Sequence, residues 1–335
     1  MSALNDPATL SSVRRRAMLR TAMGPEIASA LADPRTQEIM VNPDGALRLD
    51  RLGEGRIDTG VRIPPAQVER IIRLVASHAR AEIHGDRPVI SAELPPHAEG
   101  RAGERFEGVL PPVSEAPCFS IRKPAERLHL LEDYVAEGIM PAEAARLLRT
   151  AVADRLNILV AGGTSSGKTT LANALLAEMA SVDTRVILIE DTRELQCPLP
   201  DTVALRTRAG AASMTDLVRS TMRLRPDRIV VGEVRGPEAL DMLKAWNTGH
   251  PGGIATVHAN SARAALTRIE QLVQEAVVTV PRQLIAEAID IIVFIAGRGA
   301  GRRVAAVARV GGLDPRTGAY DLADLLNPQP EGDAS

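Results

Sequence analysis

Aromatic side chains are nearly absent: the 335-residue chain has one Trp, two Tyr and three Phe. Its cores must therefore be built from Leu, Ile, Val and Ala. The same scarcity argues against a stacking platform for single-stranded nucleic acid, which needs repeated aromatic faces. Neither sign of charge is in excess, with 40 basic and 42 acidic residues. Direct nucleic-acid binding, which usually announces itself as a basic surplus, is not indicated. The two cysteines, Cys118 and Cys197, are isolated, form no metal-spacing pair and suit a reducing compartment. No apolar run approaches the roughly 18 residues that span a bilayer. The first residues carry no signal-peptide core either, so an intracellular protein is expected.

What is present includes a complete G-x-x-x-x-G-K-[ST] phosphate-binding loop: Gly162, Gly163, Thr164, Ser165, Ser166, Gly167, Lys168 and Thr169. An apolar strand candidate at 156–161 precedes it, and Thr170 leads into a helical pattern running to 179. Glycines let the backbone curl until successive N–H groups face phosphate oxygens, and the helix adds the positive end of its dipole. Lys168 is expected to reach the β- and γ-phosphates, and the Thr169 hydroxyl to ligate Mg²⁺. The chain is expected to bind a nucleoside triphosphate.

At about 150 residues per domain, the length suggests two domains. Residues 1–24 read as a basic helical segment with Arg14, Arg15, Arg16 and Arg20, a pattern that suits either an anionic membrane surface or a solvated face. Residues 25–123 read as a small α+β domain: turn-rich strands over 36–62, an amphipathic helix over 67–81, and short strands near 106–110 and 118–121. Residues 124–140 read as a linker with some helix. Residues 141–320 read as an α/β motor domain with a largely parallel sheet, and 321–335 as a disordered tail. The motor's strands are expected at 185–189, 228–231, 254–257 and 289–295, short and rich in β-branched residues.

Acidic residues fall at two of those strand ends. Glu190 and Asp191 follow one, and Glu233 follows another after Gly232, with no aspartate on the apolar run. Carboxylates at such tips can hold Mg²⁺ through water or orient an attacking water. His258 ends a further strand, where it could sense a γ-phosphate. Asn260 and Ser261 suit the cap of the next helix. The arginines 219, 223, 225 and 228 read either as a solvated face or as contacts to phosphates or acids of a neighbouring subunit.

In order, GGTSSGKTT, LIEDTRELQ, RLRPDRIVVGEVRG and NTGHPGGIATVHANS resemble the Walker A, Asp box, modified Walker B and His box of the type II/type IV secretion traffic ATPases. The stretches MVNPDGALRLDRLGEG and LKAWNTGHPGG look most like its TrbB-type conjugal-transfer branch. The resemblance implies an N-terminal sensing domain, a RecA-like motor and a hexameric ring at the cytoplasmic face of the inner membrane. Nucleotide would sit between the domains, with Arg105 and Arg122 matching the family's N-terminal arginines. Glu190 would polarise the water and Glu233 serve Mg²⁺. The family loop usually has glycine where Ser165 stands, and positive φ there would cost a serine roughly 1 kcal/mol. Three other readings stay open: a motor of a tight-adherence or related pilus, a DNA-stimulated RecA-like motor, and an ATP-binding scaffold. A type II branch member typically carries a four-cysteine zinc module, which two cysteines cannot supply.

Overall fold

The computed structural model describes residues 7–95, 103–124, 128–180, 182–208 and 210–326. The chain divides into two units, Met1–Glu126 and Arg127–Ser335.

In the first unit the elements are α1 (Pro7–Ala32), β1 (Thr36–Val41), β2 (Ala46–Arg51), β3 (Gly55–Arg62), α2 (Pro65–Ala79), β4 (Val89–Glu93), β5 (Arg105–Val109) and β6 (Cys118–Arg122). The strands form one antiparallel sheet in the order β3-β2-β1-β6-β5-β4. The apolar face of α2 (Val68, Ile71, Ile72 and Val75) packs with Ile39, Phe106 and Ile121 of the sheet. Helix α1 breaks at Gly24, whose φ of 77° is left-handed. Leu19, Ala22 and Met23 are nevertheless buried in the same core as Ile27. Residues 17–24 thus pack with the unit that the sequence reading began at residue 25. Leu19, Ala22 and Met23 are committed to that core, while Met18 is exposed. The side chains of Arg14, Arg15 and Arg16 lie outside the described ones.

The second unit runs α3 (Leu131–Ala136), α4 (Ala142–Ala153), β7 (Ile158–Gly162), α5 (Lys168–Ala177), β8 (Val186–Glu190), β9 (Thr202–Arg206), α6 (Met214–Thr221), β10 (Arg228–Val231) and α7 (Glu238–Asn247). It continues with β11 (Ile254–His258), α8 (Ala262–Gln274), α9 (Arg282–Ala288), β12 (Ile291–Ala296), β13 (Arg303–Leu313) and β14 (Tyr320–Asp324). The sheet order is β14-β13-β12-β7-β11-β10-β8-β9. The strands from β12 to β9 are parallel, and β13 and β14 extend the sheet antiparallel. Alternate residues of each central strand enter opposite cores. Leu159, Ile187 and Ile229 pack with α6 to α9, while Ile158, Val186 and Val230 pack with α3 to α5. Burial on both faces is why these strands read as unbroken apolar runs.

Strands β9, β13 and β14 were not anticipated. β9 is an edge strand with an exposed end at Arg206. β13 carries Ala, Gly and Arg, and β14 after Tyr320 falls in residues read as tail, with Asp321 exposed and Asp324 half-buried. Tyr320 anchors β14: it is buried, and its hydroxyl donates to Glu270 Oε1 at 2.8 Å. Residues 327–335 of the expected tail lie outside the described ones.

Candidate nucleotide site

The phosphate loop starts where β7 runs out of space for a side chain. A Cβ on Gly162 would stand 2.5 Å from Ser166 Oγ and 2.6 Å from the Ile295 carbonyl oxygen. The loop closes at Gly167, which caps α5 with a φ of 98°. Between them Ser165 does adopt positive φ, 59°, so this L-residue carries the strain expected for it. Ser166 is buried, and its Oγ has no hydrogen-bond partner. Thr169 and Thr170 are half-buried at the start of α5, while Thr164 is exposed. Lys168, only 7% exposed, folds back over the loop. Its Nζ donates to the Gly163 carbonyl at 3.1 Å and lies 3.3 Å from His258 Nε2.

Strand register brings the other groups to this place. His258, at the end of β11, is paired with Gly162 at the end of β7. Ile189 of β8 is paired with Val231 of β10, so the next residues, Glu190 and Gly232, adjoin. A Cβ on Gly232 would lie 3.0 Å from Glu190 Cγ, so only glycine leaves Glu190 undisturbed. Glu190 is 4% exposed, and its Oε1 accepts the N–H groups of Glu194 at 2.8 Å and Leu195 at 2.7 Å. Burial pushes its carboxyl up to about 7, against the pull of those two N–H groups.

Glu233 behaves oppositely. Its Oε2 accepts from Arg235 Nη2 at 2.6 Å, and its Oε1 lies 2.8 Å from His258 Nε2. The latter approach is not aligned as a hydrogen bond, so Oε1 is sealed with no donor aimed at it. Burial alone would raise the Glu233 carboxyl. The Arg235 hydrogen bond and the charges of Arg235 and Lys168 outweigh burial and hold it below the usual range. Burial and the Lys168 charge push His258 down, against Glu233, favouring its neutral imidazole. Arg235 also stands 3.6 Å from Asp191 Oδ2, and Asp191 Oδ1 accepts from Thr207 Oγ1 at 2.9 Å. Lys168, His258, Glu233, Arg235 and Asp191 thus form one chain of contacts, with Glu190 beside it.

Arg235 was not singled out from the sequence, although GEVRG contains it: an arginine two residues past a carboxylate in extended chain shares its side. Arg302, which packs against Gly167, was missed as well. The other expected residues divide. Arg105 and Arg122 are cross-strand partners on β5 and β6 of the first unit. Among the described residues, neither guanidinium has a hydrogen-bond or ion-pair partner. Arg219 pairs with Asp241 at 3.1 Å, whereas Arg228 is buried and donates to the Val152 carbonyl at 3.0 Å. Arg228 is thereby structural, not a contact for a neighbouring subunit. His250 lies 3.0 Å from the Pro226 carbonyl oxygen, and Ser261, not Asn260, caps α8 by accepting from Ala264 N at 3.0 Å.

A phosphate loop between a buried strand and a helix, with carboxylates at the ends of neighbouring parallel strands, defines a P-loop nucleotide-binding protein. Residues 105–298 match the type II/IV secretion system protein family, and the chain belongs to that family. Conjugal transfer protein TrbB of Rhizobium radiobacter is 47% identical over 296 residues, covering 88% of this chain and 90% of the relative. Type IV secretion system protein PtlH of Bordetella pertussis is 37% identical, covering 80% of this chain and 88% of the relative. The X-ray structure of the Legionella pneumophila ATPase DotB shares the fold, with a TM-score of 0.58 at 18% identity, covering 90% of this chain and 82% of that one. The TrbB-type resemblance read from the motifs stands.

Proposed function

We propose that the chain is an ATP-hydrolysing motor subunit, RecA-like in its second unit, that powers pilus assembly or substrate transfer in a conjugation (type IV secretion) machine. The observation that carries this reading is the contact chain from Lys168 through His258, Glu233 and Arg235 to Asp191, with Glu190 at its side. The loop cradles the triphosphate through its N–H groups, and Lys168 supplies a cation at the β- and γ-phosphates. Thr169 and Glu233 would hold Mg²⁺, the latter through water. The ion would neutralise charge developing on the phosphates. The fit rests on the sealed, donorless Glu233 Oε1. Among the described residues no cluster of three or more His, Cys, Asp or Glu could hold a metal alone, so the phosphates would complete its shell.

The two glutamates divide the work by protonation. A carboxyl near pH 7 is part-ionised at neutrality, which suits Glu190 to take a proton from the attacking water. Glu233 is held ionised, which suits a cation partner. His258, neutral and between Lys168 and Glu233, is placed to register the terminal phosphate. Arg105 and Arg122 are assigned to nucleotide on the resemblance. By the same resemblance the motor is a hexameric ring, peripheral at the cytoplasmic face of the inner membrane beside other machine components. No described helix is long and apolar enough to cross a membrane.

The test is steady-state ATP hydrolysis by the purified protein beside Lys168→Ala, across protein concentrations, with and without single-stranded DNA. Hydrolysis should require Lys168, rise as subunits associate and ignore DNA. Strong DNA stimulation would replace this reading with a nucleic-acid motor, and hydrolysis unchanged in Lys168→Ala would remove the loop from the chemistry.

A further inference from the structure

The order β12-β7-β11-β10-β8 gives the phosphate loop two unlike sides. His258 and Glu190 end strands on the β11 side, and Glu233 follows the end of β10 there. A triphosphate whose terminal group faces them must present its α-phosphate and ribose elsewhere along the loop. On the β12 side the chain turns tightly: a Cβ on Gly297 would meet the Gly301 carbonyl oxygen at 2.0 Å, and a 3-10 turn covers Gly299–Gly301. That turn delivers Arg302 onto the loop, where a Cβ on Gly167 would lie 3.2 Å from its Nε and 3.3 Å from its Cζ.

Arg302 differs from the other cations of the site. Lys168 and Arg235 are engaged by Gly163, Glu233 and Asp191. Arg302 is half-buried, its Nε is sealed without a hydrogen-bond partner, and among the described residues its guanidinium has no ion pair. Tyr134 of α3 shows the same condition nearby. It is 2% exposed, its Oη has no partner, and Arg302 is close enough for its charge to act on the phenol. Neither group satisfies the other. A buried N–H without an acceptor is costly, and a ligand oxygen beside the loop would satisfy it. A planar guanidinium suits phosphate and ribose oxygens.

We propose that Arg302 is a nucleotide-binding residue that contacts the ribose end of the nucleotide, opposite the carboxylates. The inference rests on the nucleotide reading of the loop. It identifies how the protein would favour a nucleotide over a bare polyphosphate chain, since an arginine at the nucleoside end adds nothing to a ligand that lacks one.

The experiment is calorimetric titration of the full-length protein with ADP and with inorganic tripolyphosphate, comparing parent, Arg302→Gln, Arg302→Lys and Lys168→Ala. Arg302→Gln should weaken ADP about tenfold while tripolyphosphate stays within about twofold. Arg302→Lys, which keeps the charge but not the planar fork, should fall between and carries the comparison if the glutamine variant fails to fold by circular dichroism. Unchanged ADP affinity in Arg302→Gln, with binding lost in Lys168→Ala, overturns the proposal and leaves the nucleotide site standing. Equal losses for both ligands also overturn it, because Arg302 would then only support the loop. ADP binding intact in Lys168→Ala would instead sink the nucleotide site, and this proposal with it.

Discussion

In the second unit β7, β8 and β10 are buried along their whole length, whereas β3 of the first unit alternates exposed and half-buried residues. The difference decides where chemistry can sit. A parallel sheet covered on both faces has no room for charge along its strands, so polar groups collect at the carboxyl ends. Glu190 and His258 are such ends and Glu233 lies two residues past one, and the register of β7, β8, β10 and β11 sets those ends side by side. An antiparallel sheet with an open face carries charge at exposed and half-buried positions instead, as Arg105 and Arg122 do at the adjoining ends of β5 and β6. Groups at sealed strand ends perturb one another's protonation. Arg105 and Arg122 have no partner of that kind among the described residues.

The sharpest break of this contrast is loss of hydrolysis. Glu190→Gln should lower the ATPase rate by about 10²- to 10⁴-fold, the range for removing a general base. Phosphate release at saturating ATP measures it, and a loss under tenfold would transfer the base role elsewhere. Core truncation comes next. Ile187→Ala, at a fully buried position, should cost about 2–5 kcal/mol, and Ile57→Ala on half-exposed β3 less than about 1.5 kcal/mol. Urea midpoints with unchanged slopes would check both. Equal costs would mean that β3 is covered in solution.

Glu190 also ties the site to stability through pH. Its carboxyl rises from an ordinary 4.5 to about 7 on folding, so between those values the folded chain holds more protons than the unfolded. Stability therefore falls as pH rises across that window. Glu190→Gln keeps an acceptor for the N–H groups of Glu194 and Leu195 but cannot ionise. It should gain on the order of 2–3 kcal/mol over the parent above pH 7 and nothing below pH 4.5. Thermal unfolding at pH 5 and pH 8 tests this, and a gain equal at both would sever it from ionisation.

The same physics explains what could be read in advance. The central parallel strands were legible because burial on both faces leaves only apolar residues. The phosphate loop was legible because its glycines and lysine have few other uses together. β9 and β14 were not, since edge strands alternate or carry charge that reads as loop. Glu190, Glu233 and His258 could be named singly as strand ends, but their union depends on register, which no local pattern encodes. Arg235 and Arg302 stayed hidden because an arginine beside glycines normally marks a solvated turn. Leu19, Ala22 and Met23 were assigned to a separate segment because its clustered arginines set it apart, yet the helix resumes after Gly24.

A smaller effect is expected from the exposed face of the antiparallel sheet. Replacing Arg105 and Arg122 together by Ala should leave the unfolding temperature unchanged, because neither guanidinium has a partner among the described residues. It should raise the KM for ATP about tenfold, the worth of roughly one charge-assisted hydrogen bond. An unchanged KM would remove both arginines from the nucleotide contacts and leave the first unit without a part in binding.

The smallest effect belongs to Ser165. Its φ of 59° costs an L-residue roughly 1–2 kcal/mol. Glycine would relieve that strain but adds about 0.5–1 kcal/mol of unfolded-state freedom. The two nearly offset, so Ser165→Gly should stabilise the second unit by only about 0.5 kcal/mol. Ser165 is exposed, so no packing is lost, and ADP affinity should rise no more than about twofold. A gain well above this would mean that the serine strains the whole loop. A net loss would mean that its hydroxyl contributes to phosphate binding, and that the departure from the family's glycine is functional.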